Sequence, residues 1–189
     1  MYIMEVVKNL EINKVVKTIS LIVLGTLLLT VSAKTKIPFY PVPMTMQTFV
    51  ILLLGILLGK KIGSITVILY LFEGIFGLPV FAGTPEKGIG LIYFTGPTMG
   101  YLIGFIIAVY FSGSFKYNKG LLNTFLKLLF SVSFIYLLGL AWLGILIGWE
   151  KPIFKLGAQP FLLAELFKIL LLTFLTSILL KAKKIIKIT

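Results

Sequence analysis

The chain has 189 residues, of which 59% are hydrophobic and 13% are charged, and 18 lysines against six glutamates give a net charge of +12. Because Cys and His are absent, the chain cannot build a disulfide, a thiol nucleophile, an imidazole base or a thiolate–imidazole metal site. A soluble domain of this length carries about twice this share of charge. The composition therefore predicts a single all-α integral-membrane domain, with no cofactor and no metal.

Six apolar segments follow one another along the chain. A membrane-spanning helix needs about 20 apolar residues, and somewhat fewer when its neighbours support it. The pattern predicts a compact bundle of six transmembrane helices at residues 18–33, 45–59, 62–78, 97–115, 123–149 and 160–180. Between the first two segments, Pro38, Pro41 and Pro43 predict an apolar, non-helical connection at the membrane surface.

The lysines are distributed unevenly over the two sides of such a bundle. Cytoplasmic loops are enriched in Lys and Arg, so we expect both termini in the cytoplasm of a multi-pass protein of the cytoplasmic membrane. This orientation places 12 lysines inside, namely Lys8, Lys14, Lys17, Lys60, Lys61, Lys116, Lys119, Lys127, Lys181, Lys183, Lys184 and Lys187. It places five outside, namely Lys34, Lys36, Lys87, Lys151 and Lys155. Lysines in short connections also argue against a nucleic-acid groove.

Glycines recur every four residues in two of the predicted helices and the residues beside them. The rows are Gly55, Gly59 and Gly63, and Gly96, Gly100 and Gly104. Such a row forms a flat face on which another backbone can approach closely. The face either packs inside the bundle or docks a partner subunit.

The last predicted helix carries two ions in an otherwise apolar stretch, Glu165 and Lys168. Three residues apart, they share one face of the helix. They either neutralise each other during insertion or mark a ligand pocket, as intramembrane ions usually do. Their place just after Pro160 predicts a pocket that is open to the exterior.

Further candidate contacts with a ligand lie in the third segment, which contains Glu73, and in the loop that follows it. Glu73 is either buried in its protonated form or accepts hydrogen bonds from a loop or a substrate. In the loop, Gly83 allows a close backbone approach. Phe81, Tyr93 and Tyr101 either stack on a ligand or belong to the interfacial aromatic belt. A phosphate-binding GxxxxGK[ST] loop is absent, so if the protein does energised work, another chain must supply the energy.

Four segments, in the right order and spacing, resemble the BioY family. They are PVPMTMQTF at 41–49, LLLGILLG at 52–59, GLPVFAG at 77–83 and GPTMGYLIGF at 96–105. Members of that family are the biotin-specific substrate-binding (S) components of energy-coupling-factor (ECF) transporters. The resemblance implies high-affinity capture and uptake of biotin, together with a transmembrane coupling protein and two cytosolic ATP-binding subunits.

The resemblance also implies which residues bind biotin. BioY-like chains carry an acidic residue and a lysine three apart on the last helix, and here these are Glu165 and Lys168. The acidic residue is commonly Asp in that family, so Glu165 is one methylene longer. The other expected contacts with biotin are Gln47, Glu73, Phe81, Gly83, Tyr93 and Tyr101.

Two other functions remain open from the residues. A stand-alone or homo-oligomeric biotin carrier would need no ATPase. An intramembrane enzyme is a distant alternative, because Ser64, Ser131 and Ser133 have no motif around them. The sequence therefore predicts a protein that is not an enzyme and has no catalytic residue.

Overall fold

The structure is a computed structural model that describes residues 2–86 and 88–186. Lys87 and Lys187, which the sequence assigns to opposite sides of the membrane, lie outside this range. The described chain is helical apart from one small sheet, so the predicted all-α class is confirmed. Its helices are α1 (Tyr2–Lys34), α2 (Gln47–Ile75), α3 (Met99–Ser114), α4 (Leu121–Ile147), α5 (Ile153–Gly157) and α6 (Leu162–Ile186), with 3-10 turns at Gly90–Thr95 and Gln159–Phe161.

The proline-rich connection after α1 is non-helical, as predicted, and forms a two-stranded antiparallel sheet that the sequence did not predict. Strand β1 (Lys36–Ile37) pairs with strand β2 (Met44–Thr45), so that Lys36 lies opposite Thr45. This small hairpin brings the end of α1 back to the start of α2.

Helix α2 is a hairpin rather than a straight rod, because it is broken at Gly59. This residue has φ 74° and ψ 174°, a region that is essentially restricted to glycine. Gln47 Nε2 donates a hydrogen bond of 2.9 Å to Tyr70 Oη, whereas a straight helix would separate residues 23 apart by about 34 Å. Residues 47–58 and 60–75 therefore run antiparallel, and all six predicted segments form helix.

The third predicted segment ends earlier than expected, at Ile75 instead of residue 78. Gly77 has a φ of 92° and donates its N–H to Gly74 O at 3.1 Å, while Leu78 N–H donates to Glu73 O at 3.0 Å. This is a Schellman closure, in which a glycine just after the helix takes a positive φ. Hydropathy alone does not report it, because the residues beyond the helix end are as apolar as those before it.

Four helical stretches of the described chain are long and apolar enough to span a membrane: Asn13–Lys34, Gln47–Ile75, Leu121–Ile147 and Ile153–Lys184. Met99–Ser114 is a shorter apolar helix. Large apolar side chains such as Val23, Leu24 and Leu27 of α1 are exposed, as lipid contact requires. The number of six membrane crossings stays a prediction, because the hairpin divides Gln47–Ile75 into two short halves.

Glycines allow α3 to pack closely against α2 and α4. A Cβ atom on Gly104 would lie 2.6 Å from the Ile135 Cα atom of α4, and one on Gly55 would lie 2.9 Å from Val109 O of α3. A Cβ atom on Gly63 or on Gly100 would likewise meet atoms of a neighbouring helix. These four glycines face helices of their own chain, which corresponds to the packing alternative. Gly59 forms the break instead, and Gly96 precedes α3.

The Gly59 turn marks one end of the bundle, opposite to the β1–β2 sheet. A Cβ atom on Gly113, near the end of α3, would lie 2.5 Å from Lys60 N. Lys183 of α6 also reaches this end, where its Nζ donates a 2.9 Å hydrogen bond to Ile56 O. The last turn of residues 47–58 is therefore capped by a cation from α6, which suits the negative end of a helix dipole.

Candidate ligand-binding site

Glu165 and Lys168 form a buried ion pair in the first turns of α6. Lys168 Nζ lies 3.4 Å from Glu165 Oε2, and the two residues are only 6% and 4% exposed, respectively. Burying a charge costs several kcal/mol unless the ion is paired and hydrogen-bonded. The surrounding helices must therefore supply further polar partners.

Those partners come from α4, from strand β2 and from the start of α2. Thr48 Oγ1 and Tyr136 Oη each donate a 3.0 Å hydrogen bond to Glu165 Oε2. Lys168 Nζ donates to Thr45 O at 2.7 Å and to Thr48 Oγ1 at 3.0 Å. The Thr48 hydroxyl thus accepts from the ammonium group and donates to the carboxylate, which fixes both side chains.

The other carboxylate oxygen is bound differently. Glu165 Oε2 has three donors, whereas Oε1 is buried and has no hydrogen-bond partner among the described residues. A buried acceptor without a donor is costly and marks a place where a ligand or water completes the hydrogen bonding. Glu165 therefore has one acceptor atom that the described residues leave without a donor.

A cavity adjoins this ion pair. Its volume is only about 60 Å³, and small-molecule sites usually measure about 300–1,000 Å³, so the wall must open further to admit a ligand. Glu165 and Lys168 lie in its wall, and aromatic rings and apolar side chains cover much of the rest, among them Val42, Met44, Tyr93, Tyr101, Phe105 and Phe161. A few polar groups in a mainly apolar wall suit a ligand that has both kinds of surface.

The structure brings five of the eight predicted contact residues to this cavity: Gln47, Tyr93, Tyr101, Glu165 and Lys168. The other three do not line it. Phe81 stacks behind Tyr93 with ring centroids 4.8 Å apart, Gly83 is buried in the turn beside Ala82, and Glu73 is half-buried in α2. A direct contact of these three residues with biotin stays a prediction, and none of the three lies in the cavity wall.

Besides Glu165 and Lys168, two of the five lining residues use their polar groups within the protein. Gln47 Nε2 donates to Tyr70 Oη, and Tyr101 Oη donates to Gly157 O at 2.8 Å. Tyr101 therefore offers its ring to a ligand rather than a hydroxyl proton. Burial raises the pKa of the Tyr93 phenol above its usual value, so this side chain stays neutral at physiological pH.

Sequence analysis missed two residues of the site, Thr48 and Tyr136. Thr48 is part of the segment PVPMTMQTF, but the motif does not say that its hydroxyl bridges the two ions. Tyr136 lies in a long apolar helix with no local pattern that separates it from other interfacial tyrosines. Only the packing of α4 against α6 brings its hydroxyl to Glu165.

Comparisons with known proteins agree on one family. A family model described as "BioY family" matches residues 5–185. The chain is 36% identical over 152 residues to a probable biotin transporter BioY of Pyrococcus horikoshii, which covers 80% of this chain and 89% of the relative. It is 36% identical over 145 residues to the biotin transporter BioY of Thermotoga maritima, which covers 76% and 84%.

The fold has a counterpart of known structure. A crystal structure of the S-component for biotin from an ECF-type ABC transporter superposes with a TM-score of 0.75 at 26% sequence identity. The match covers 89% of this chain and 93% of that chain. The similarity therefore extends over most of the chain.

Proposed function

The chain belongs to the BioY family, and from this membership we propose that it binds biotin in the cavity beside Glu165 and Lys168 and serves in biotin uptake. It is a transport protein rather than an enzyme. The observation that carries the proposal is a buried carboxylate in the cavity wall whose second oxygen, Oε1, has no donor among the described residues. An ion pair that served insertion alone would have no reason to lie in a cavity wall.

The chemistry of biotin suits this wall. Its ureido ring has two N–H donors and one carbonyl, its second ring is a thioether, and its valerate chain ends in a carboxylate. Glu165 Oε1 accepts a ureido N–H, and Lys168 donates to an oxygen of the ureido group or of the valerate. The rings of Tyr93, Tyr101 and Phe161 enclose the apolar bicycle.

The energy for uptake comes from other subunits in this proposal. The chain acts as the S component of an ECF-type importer, together with a transmembrane coupling protein and two cytosolic ATP-binding subunits. The similarity to a solved S-component supports this assembly, as does the absence of a phosphate-binding loop from the sequence.

A binding measurement tests the function. The purified chain is expected to bind radiolabelled biotin without nucleotide and to hydrolyse no ATP. Failure to bind biotin, or ATP hydrolysis by this chain alone, would contradict the proposal. Uptake by cells that express the chain without any ATP-binding subunit would favour the stand-alone carrier instead.

The proposed topology is six transmembrane helices with both termini in the cytoplasm. The lysines near the Gly59 turn would then face the cytoplasm, and the cavity would open to the exterior. In intact cells, the thiol introduced by Lys151→Cys is expected to react with an impermeant maleimide. The thiol introduced by Lys61→Cys should react only after the membrane is permeabilised. Both positions are exposed in the structure, so the reverse labelling would refute this orientation.

A further inference from the structure

One wall of the cavity is a turn whose backbone has few partners of its own. Residues 80–84 are all buried, Ala82 lines the cavity, and Phe81 supports the ring of Tyr93 from behind. Buried carbonyl groups need hydrogen-bond donors, and this segment belongs to neither a helix nor a sheet. The donors come largely from side chains of distant residues.

Two lysines supply the charged donors, beside Tyr70 Oη, which donates to Val80 O, and the N–H and hydroxyl groups of Thr84, which donate to Phe81 O. Lys34 Nζ donates to Phe81 O and to Thr84 O, both at 2.9 Å, and to Thr84 Oγ1 at 3.0 Å. Lys36 Nζ donates to Ala82 O at 2.7 Å. Three carbonyl groups of the turn are thus bound by two ammonium groups from the end of α1 and from β1. Hydrogen bonds from charged donors are shorter and stronger than those between neutral groups.

Lys36 also connects the turn to the ion pair. Lys36 lies opposite Thr45 in the β1–β2 sheet, and Thr45 O accepts the 2.7 Å hydrogen bond from Lys168. A continuous path therefore runs from Lys168 through Thr45 and Lys36 to Ala82. Both of its ends, Lys168 and Ala82, line the cavity, so the path links two parts of the cavity wall.

We propose that Lys34 and Lys36 are positioning residues for ligand retention: they hold the 80–84 turn, and with it Ala82, in place in the cavity wall against which biotin packs. This inference rests on the proposed function. Neither lysine touches the cavity through its ammonium group, so both act through the turn. Without them, three buried carbonyl groups lose their charged donors, and the turn moves away from the ligand towards water.

The test uses Lys34→Met and Lys36→Met in the full chain, in detergent or nanodiscs. Methionine keeps most of the side-chain length but removes the donor. Each variant is expected to release radiolabelled biotin about tenfold faster than the natural chain, on the scale of one hydrogen bond to a charged group. Lys34→Arg and Lys36→Arg, which keep the charge and the donors, should restore most of the retention. Lys151→Met, an exposed lysine outside this contact, is the matched control and should change nothing.

Hydrogen exchange measured without ligand separates positioning from general damage. In Lys34→Met, peptides that cover residues 77–86 should exchange at least about tenfold faster, while peptides from α4 and α6 and the melting temperature should stay unchanged. Unchanged release by both Met variants would overturn the proposal, as would faster exchange throughout the bundle or Arg variants as weak as the Met variants. If the natural chain binds no biotin, the proposed function fails, whereas the exchange experiment still decides whether the lysines hold the turn.

Discussion

Replacing Glu165 by Gln, or Lys168 by Met, is expected to weaken biotin binding more than about tenfold in each case. A hydrogen bond to a charged group contributes roughly 1.5–3 kcal/mol, and about 1.4 kcal/mol corresponds to tenfold in the dissociation constant. Each single change also leaves the other ion buried without its partner. Equilibrium binding of radiolabelled biotin to the purified variants measures the effect.

The double variant Glu165→Gln with Lys168→Met distinguishes a ligand site from a pair that serves insertion alone. It has no unpaired charge, so it should fold well, and we expect that it does not recover binding. Tyr117→Phe is the matched control, because it removes a hydrogen bond of 2.6 Å to Ser112 O away from the cavity. Affinity that returns to the natural value in a well-folded double variant would show that the two ions only neutralise each other.

Gly104→Val is expected to lower the stability of the helix bundle strongly. The new Cβ would lie 2.6 Å from Ile135 Cα and 3.0 Å from Phe134 O, and backbone atoms cannot rotate away as a side chain can. Helix α3 must then move away from α4, which costs on the order of 1–3 kcal/mol or more. Because Tyr101 and Tyr136 line the cavity from these two helices, biotin binding should weaken as well.

The measurement is the melting temperature, followed by the loss of monodisperse protein on heating. Ala141→Val serves as the control, since it introduces the same side chain at an exposed position of α4. A Gly104→Val variant that melts with the control would mean that α3 and α4 do not pack as closely as the structure has them.

Much of the fold could be predicted from the sequence, because apolar runs and prolines report helices and their interruptions directly. Lys60 and Lys61 already separate the second and third segments, so the hairpin was implicit in their spacing. The role of Gly59 was not implicit in that spacing. A glycine that packs against a neighbouring helix and a glycine that takes a positive φ give the same four-residue sequence pattern. The end of α2 at Ile75 was misplaced for a related reason: closure by Gly77 depends on backbone conformation and not on hydropathy.

The site was predicted only in part. Glu165 and Lys168 stand out because ions are rare in apolar helices. Thr48 and Tyr136 do not stand out, because the role of their hydroxyl groups depends on the fold bringing them to Glu165. Lys34 and Lys36 were assigned only to the outer side by counting charge, although their ammonium groups bind a turn almost 50 residues away.

Helix α6 is hydrogen-bonded to the first half of α2 at two points. Lys168 donates to Thr48 Oγ1 at the cavity, and Lys183 donates to Ile56 O beside the Gly59 turn. These lysines are separated by about 22 Å of helix. Because the two contacts lie far apart along α6, this helix can tilt together with residues 47–58 but cannot slide along them without breaking a contact. A shift of α6 by one residue, about 1.5 Å of rise, would strain the hydrogen bonds of both lysines. A force on Lys168 is therefore transmitted along α6 to the opposite end of the bundle.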